Sequence, residues 1–400
     1  MDTSKTLAAW QFIADQPMLW LALGTLAALL AGEVFWRVLR LPRITGYTVG
    51  GMLVGGAGFG WVPSTLTPTL DILTDIALAL LLFELGTRVR LHWFRANKSL
   101  ILCSVLDCTL TFVACALVAS SLGMKGVHAL LIGALAVGTS PAIVVRIAME
   151  TRAQGQVTER MLSLTAINTI VSIVLVKLIA GFAPQDVGLG WVRALGNAAY
   201  LLLGSLLAGA LMAYAFSRLR RFANLAEEHG VALLFALLLV FFALMHIAAL
   251  PPLLPPLIAG IVLRNANPRP LLLPRHFGTA GGLLVILLFI LNGVQIQWES
   301  LFVGGILAIA LIAARTLAKF GAVFGSAARA ALSMRQAAAL SVTLTPFSAT
   351  ALVLASYLGL NDRALIDPVL PTLLAAVLIS ELICPILVQL ALRHSNETQE

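Results

Sequence analysis

The chain has 400 residues, 60% hydrophobic and 11% charged, with a mean hydropathy of +0.97 and a formal net charge of +8. Soluble globular domains run nearer half apolar and a quarter charged. A water-soluble fold is therefore excluded, and no polar stretch is long enough to be a separate soluble domain.

In chain order, about thirteen apolar spans are expected, at roughly 17–37, 44–61, 68–87, 99–122, 127–149, 160–182, 192–217, 229–249, 251–264, 277–295, 300–326, 336–358 and 365–391. Most approach the ~20 residues that cross a bilayer as a helix; the ninth is short and proline-rich. The N-terminus lacks the basic start and small-residue cleavage site of a removable signal. With that terminus outside, nineteen of the 26 Lys and Arg fall in inner loops. Four fall outside (Lys5, Lys125, Arg193, Arg363), and Lys177, Arg315 and Lys319 lie within spans. Cationic loops resist translocation. The alternation thus predicts an odd number of spans, the N-terminus outside, and the C-terminus cytoplasmic in a cell inner membrane. The positive charge reads as a topology signal, with no nucleic acid partner. Cys103, Cys108, Cys115 and Cys384 stand in apolar runs without metal-ligand spacing and read as small buried hydrophobes.

Three landmarks recur in order. LPRITGYTVGGMLVG is echoed by LPPLLPPLIAGIVLR, LLLFELG by LFILNG, and GTSPA by LTPFS. They match Gly51 with Gly260, Gly86 with Gly293 and Pro141 with Pro346, at offsets of 209, 207 and 205. A duplicated unit of about six spans follows. Matched spans lie seven apart, so the copies are inverted in the membrane, an arrangement found in secondary transporters. One membrane domain is expected, with repeat one at about 17–182, a linking helix at 192–217, repeat two at 229–391 and a short cytoplasmic tail at 392–400. Spans five and twelve carry AVGTSPAIV and TLTPFSATA near their middles. Proline removes a backbone donor and clashes with the preceding turn. Broken backbone in lipid survives only when buried in protein or facing water. Thr139, Ser140, Pro141, Thr345 and Pro346 are thus expected at paired helix breaks that offer backbone groups to an ion.

These motifs, with LTAINTIVSIV and RTLAKFGAVF between them, resemble the cation:proton antiporter superfamily, in particular the sodium/hydrogen exchanger membrane domain, over nearly the whole chain. The resemblance implies an all-α polytopic, NhaA-like antiporter fold of about 13 transmembrane helices, with an inverted repeat of about six helices and two crossed discontinuous helices. It implies a homodimer in the lipid bilayer, an elevator-like core bundle moving against a dimerisation bundle, and exchange of a monovalent cation (Na⁺ or K⁺) for a proton, without a cofactor. Such antiporters carry Asp-Asp or Asn-Asp in span six, where this chain has Asn168-Thr169. A threonine hydroxyl can coordinate an alkali ion but does not titrate in the useful range. The proton carrier is therefore expected elsewhere, and the cation near Thr139, Ser140, Asn168 and Thr169.

Ionisable groups inside a membrane are functional candidates by default. Asp107, in span four, falls near Arg315 once the repeat offset is added, so an Asp107–Arg315 pair is expected. Lys319, one turn on, resembles the family's span-eleven lysine. Glu381, deep in span thirteen, is a second candidate carboxylate, within reach of Lys319 or Arg315. Glu84 is expected to pair with Arg88, Asp71 and Asp75 to line an outer entrance, and Lys177 to snorkel. His128 and His246 sit near outer span ends. Two alternatives to antiport stay open: an anion-coupled carrier, uniporter or channel-like pathway on the same scaffold, or a non-transporting regulatory subunit. No constellation of enzyme residues stands out.

Overall fold

The computed structural model describes residues 17–60, 67–182, 190–222, 227–248, 250–266, 278–295, 298–359 and 363–399. Among them are seventeen helices and no strand. In chain order they are α1 (Pro17–Arg37), α2 (Arg43–Val54), α3 (Thr67–Arg88), α4 (Leu91–Ala96), α5 (Lys98–Ser121) and α6 (Val127–Val137). Then come α7 (Pro141–Glu150), α8 (Gln156–Gly181), α9 (Gly190–Phe222), α10 (Glu227–Ile247), α11 (Leu254–Ala266) and α12 (Gly278–Val294). The last are α13 (Trp298–Ala327), α14 (Met334–Thr343), α15 (Ala349–Gly359), α16 (Arg363–Ile366) and α17 (Leu370–His394). Among the described residues six helices are long and apolar enough to cross a membrane, and four shorter ones are also apolar. Lys5, Arg269 and Arg275 of the charge count lie outside the described residues.

Exposed apolar side chains recur at helical spacing, such as Leu203, Leu207 and Leu211 on α9 and Phe302, Ile306 and Ile309 on α13. A surface in water does not carry apolar runs of this size.

The helices pack as two bundles. One joins α5 to α8 with α13 to α17; the other joins α1 to α3 with α9 to α12. They meet along a seam where α2 lies on α17, α3 on α7 and α8, and α9 on α8. Within the second bundle the landmark glycines meet crosswise. Gly51 of α2 lies on Gly293 of α12, and Gly86 of α3 lies on Gly260 of α11. A Cβ at any of the four would overlap backbone of the facing helix, so only glycine lets these backbones come this close.

The predicted second span, extended to residue 61, is too long: α2 stops at Val54, where Gly55, Gly58 and Gly60 turn the chain, Gly60 with φ +64°. The short helices α4 and α16 were not expected; neither has a span-length apolar run to announce it. Spans five and twelve are each two helices. Pro141 starts α7, where its missing N–H is not needed, and Ser140 Oγ accepts from Ile143 N–H at 3.5 Å. The extended pieces between α6 and α7 and between α14 and α15 run antiparallel. A bridge links Thr139 with Phe347, and Ser140 N–H donates to the Pro346 carbonyl at 3.1 Å.

Candidate functional site

Ending α6 at Val137 and α14 at Thr343 leaves carbonyls without intrahelical partners inside the protein, at helix ends that carry negative partial charge. Arg315 of α13 meets them. It is 1% exposed, and its Nη2 donates to the carbonyls of Gly138 (2.9 Å), Pro346 (3.1 Å) and Leu344 (3.3 Å) and to Thr139 Oγ1 (3.3 Å). Its Nε reaches the Ala136 carbonyl at 3.3 Å and its Nη1 the Thr345 carbonyl at 3.4 Å. The guanidinium lies 5.2 Å from the centre of the Phe347 ring. A rigid five-donor fork suits this task better than an ammonium would.

The expected Asp107–Arg315 pair is therefore corrected: Arg315 is engaged by the breaks, and Lys319, one turn along α13, takes the carboxylate. Lys319 Nζ lies 2.9 Å from Asp107 Oδ1 and 3.0 Å from Oδ2, and both side chains are fully buried. Asn168 Nδ2 donates to Asp107 Oδ2 at 2.7 Å and to Thr139 Oγ1 at 3.1 Å. Thr111 Oγ1 donates to Asp107 Oδ1 at 3.3 Å, and Cys108 Sγ donates to Asn168 Oδ1 at 3.4 Å. A continuous buried chain thus runs Lys319, Asp107, Asn168, Thr139, Arg315. It joins α5, α8 and α13 to the backbone of the breaks.

The adjacent amide and hydroxyl of α8 separate in role. Asn168 points into the cluster. Thr169 Oγ1 instead donates to the Thr165 carbonyl of its own helix at 2.9 Å, so it is not brought to Asp107. Ser140 is used as the cap of α7, and Thr345 Oγ1 donates to the Val342 carbonyl at 2.7 Å. Glu381 meets neither Lys319 nor Arg315, both of which are committed elsewhere; its carboxylate accepts from Asn292 Nδ2 at 2.6 Å. Glu84 pairs with Arg88 at 2.8 Å. Asp75 accepts from the Tyr357 hydroxyl at 3.3 Å; the Asp71 side chain lies outside the described residues. The four cysteines are buried and free.

Sequence reasoning missed Thr111, Cys108 and Asn292. For Thr111 a signal existed: it stands four residues after Asp107 on the same helix face. Asn292 stands in the LFILNG landmark, directly before the glycine that marks the repeat.

A profile of the transmembrane sodium/hydrogen exchanger family matches residues 24–394. The chain belongs to the sodium/hydrogen exchanger family. As an exchanger-family protein it is a multi-pass membrane transporter and not an enzyme. Two structures of the sodium proton antiporter MjNhaP1 from Methanocaldococcus jannaschii share its fold. The first, determined at pH 8, aligns with a TM-score of 0.70 at 18% identity, covering 96% of this chain and 97% of that one. The second, an electron-microscopy map, gives the same score and identity over 99% of this chain and 96% of that one. No curated protein sequence matches this exchanger-family chain.

Proposed function

We propose that this chain is a monovalent cation:proton antiporter in which Asp107 of α5 supplies the carboxylate absent from span six. The observation that carries the reading is the buried Asp107–Lys319 contact, with Asn168 and Thr139 alongside. One negative charge can hold the Lys319 ammonium, an alkali cation or a proton, but not all at once. That competition is the chemistry of exchange. A cation arriving at Asp107 displaces Lys319, and Thr139 Oγ1, which shares the Asn168 amide with Asp107, is the neutral oxygen that would join it. A proton on the carboxylate releases the cation. The same reading takes the protein as a homodimer with thirteen inverted-repeat spans in an inner membrane, N-terminus outside. The crosswise glycine contacts and the meeting of the two breaks support the repeat.

Anion coupling is the weaker alternative. It needs a span-eleven cation free for the anion. Among the described residues Arg315 is saturated by oxygens and Lys319 is paired.

The test is dissipation of an imposed pH gradient in liposomes holding purified protein and a trapped pH dye, on addition of Na⁺, K⁺ or Li⁺. Asp107→Asn is expected to abolish the response. Removing one partner of a buried pair costs ~3–5 kcal/mol, so Asp107→Asn with Lys319→Gln is the control for folding. It is expected to be monodisperse and equally inactive. A wild-type rate from Asp107→Asn would overturn the assignment.

A further inference from the structure

Glu381 lies in the middle of α17 and is 3% exposed. Among the described residues its hydrogen-bond partner is the neutral amide of Asn292, and no cation pairs with it. The charged groups on the elements around it are engaged or remote. On α13, Arg315 and Lys319 serve the breaks and Asp107. Arg43 at the start of α2 meets Glu33 and Glu150, Arg146 and Glu150 stand in the last turns of α7, and Arg335 of α14 bonds to Asn396. Arg393 and His394 end α17, three turns away. A carboxylate buried without a counter-charge needs a guest, either a proton or a cation.

The partner of Glu381 borders a cavity. Asn292 also lines a cavity of about 90 Å³, where Thr74, Asp75, Gln295, Ser356 and Tyr357 stand beside Ala349, Leu352 and Val353; it has room and polar partners for water. Asn292 and Asp75 belong to the α1–α3 and α9–α12 bundle, while Glu381 and Tyr357 belong to the other. The cavity and both contacts, Asn292 to Glu381 and Tyr357 to Asp75, therefore straddle the seam.

We propose that Glu381 is a proton-binding site separate from the Asp107 cluster, loaded by water from the seam cavity that passes beside the Asn292 amide. A proton from cavity water adds to the carboxylate to give the neutral acid and leaves by the same route. The Asn292 amide donates a charge-assisted hydrogen bond to the anion, which weakens on protonation. Proton binding therefore loosens a contact between the bundles, and by linkage a shift of the seam changes the proton affinity. The role in transport rests on the antiporter reading; the proton site does not.

The experiment is infrared difference spectroscopy of the full chain in lipid across a pH titration, beside the pH profile of exchange. The expected result is a carboxylic C=O band that titrates in wild type, is lost in Glu381→Gln and shifts in Asn292→Ala, with the pH profile of exchange flattened in Glu381→Gln. A band unchanged in Glu381→Gln, or none in wild type at any pH, would overturn the proposal. A titrating Glu381 band in a protein that exchanges no cation would keep the proton site and remove the antiporter reading. Monodisperse Glu381→Gln keeps a folding defect from mimicking loss of the band.

Discussion

At the scale of single residues, the site rests on a division of labour between two cations one turn apart. Arg315 is held by backbone and Lys319 by a carboxylate. Arg315→Lys keeps the charge but cannot span the carbonyls of Gly138, Leu344, Thr345 and Pro346 together. Each buried acceptor left unmade costs roughly 1–3 kcal/mol, so the variant is expected to lose at least ~2 kcal/mol. Its thermal unfolding in detergent should fall clearly below wild type. An unchanged transition would show that the guanidinium is not the strut of the breaks. The sequence announced the intramembrane charges, because charge in an apolar run is conspicuous. It did not announce their partners. The repeat offset locates Asp107 on α13 only to within a turn, and one turn decides between Arg315 and Lys319. Asn168 was legible as a polar group at depth, but which way it faced relative to Thr169 was not, since adjacent helix positions point about 100° apart.

At the scale of elements, helix ends are where local chemistry and tertiary contacts meet. The helix that carries Asn168 begins after Gly155, which has no side chain to cap it. The cap comes from the C-terminal tail. Glu397 Oε1 accepts from Val157 N–H at 2.7 Å, and Oε2 accepts from Thr158 N–H and Oγ1, both at 2.7 Å. An anion at a helix N-terminus also meets the favourable end of the dipole. The tail is tied down further by Gln154 N–H to the Glu397 carbonyl at 2.8 Å and by Arg335 to Asn396 at 3.1 Å. Glu397→Ala is expected to lose about 1–2 kcal/mol, the upper range for a cap, and Glu397→Gln less. Thermal melts of the two variants beside wild type check the order. Equal melts for all three would show the cap to be idle. This contact was not legible, because 239 residues separate Glu397 from Thr158 and the acid sits in what reads as a polar tail. The breaks in spans five and twelve were legible, because proline and small polar residues inside an apolar run conflict with a continuous helix.

At the scale of the whole molecule, the two bundles are held differently from the seam between them. In one bundle the glycine contacts bring α2 onto α12 and α3 onto α11 at backbone distance. Across the seam apolar side chains of both bundles, among them Ile44, Leu78 and Leu82 on one side and Ile143, Val144 and Leu164 on the other, share one core without such backbone contact, and the polar links stand at separate points. Arg43 meets Glu150 at 3.5 Å, Asn292 meets Glu381, Tyr357 meets Asp75, and Trp298 Nε1 donates to the Ala57 carbonyl at 2.6 Å. Close backbone packing does not slide, because any shift brings Cα against Cα; isolated hydrogen bonds can exchange one at a time. Relative motion is therefore expected at the seam and not within the glycine-packed bundle. Gly86→Val tests this. Its branched side chain would meet the Leu257 carbonyl and Gly260, and overpacking of this kind costs typically ~1–3 kcal/mol. The variant should melt lower and lose exchange, as the α3–α11 contact is forced apart. Gly305→Ala, on α13 with nothing within 4 Å of the added methyl, is the matched control. It should melt at or slightly above wild type, by the ~0.4–1 kcal/mol that alanine gains over glycine in a compatible helix, and keep full exchange. If Gly86→Val melts and transports like Gly305→Ala, the bundle tolerates separation of its helices and the assignment of rigid and sliding contacts is wrong.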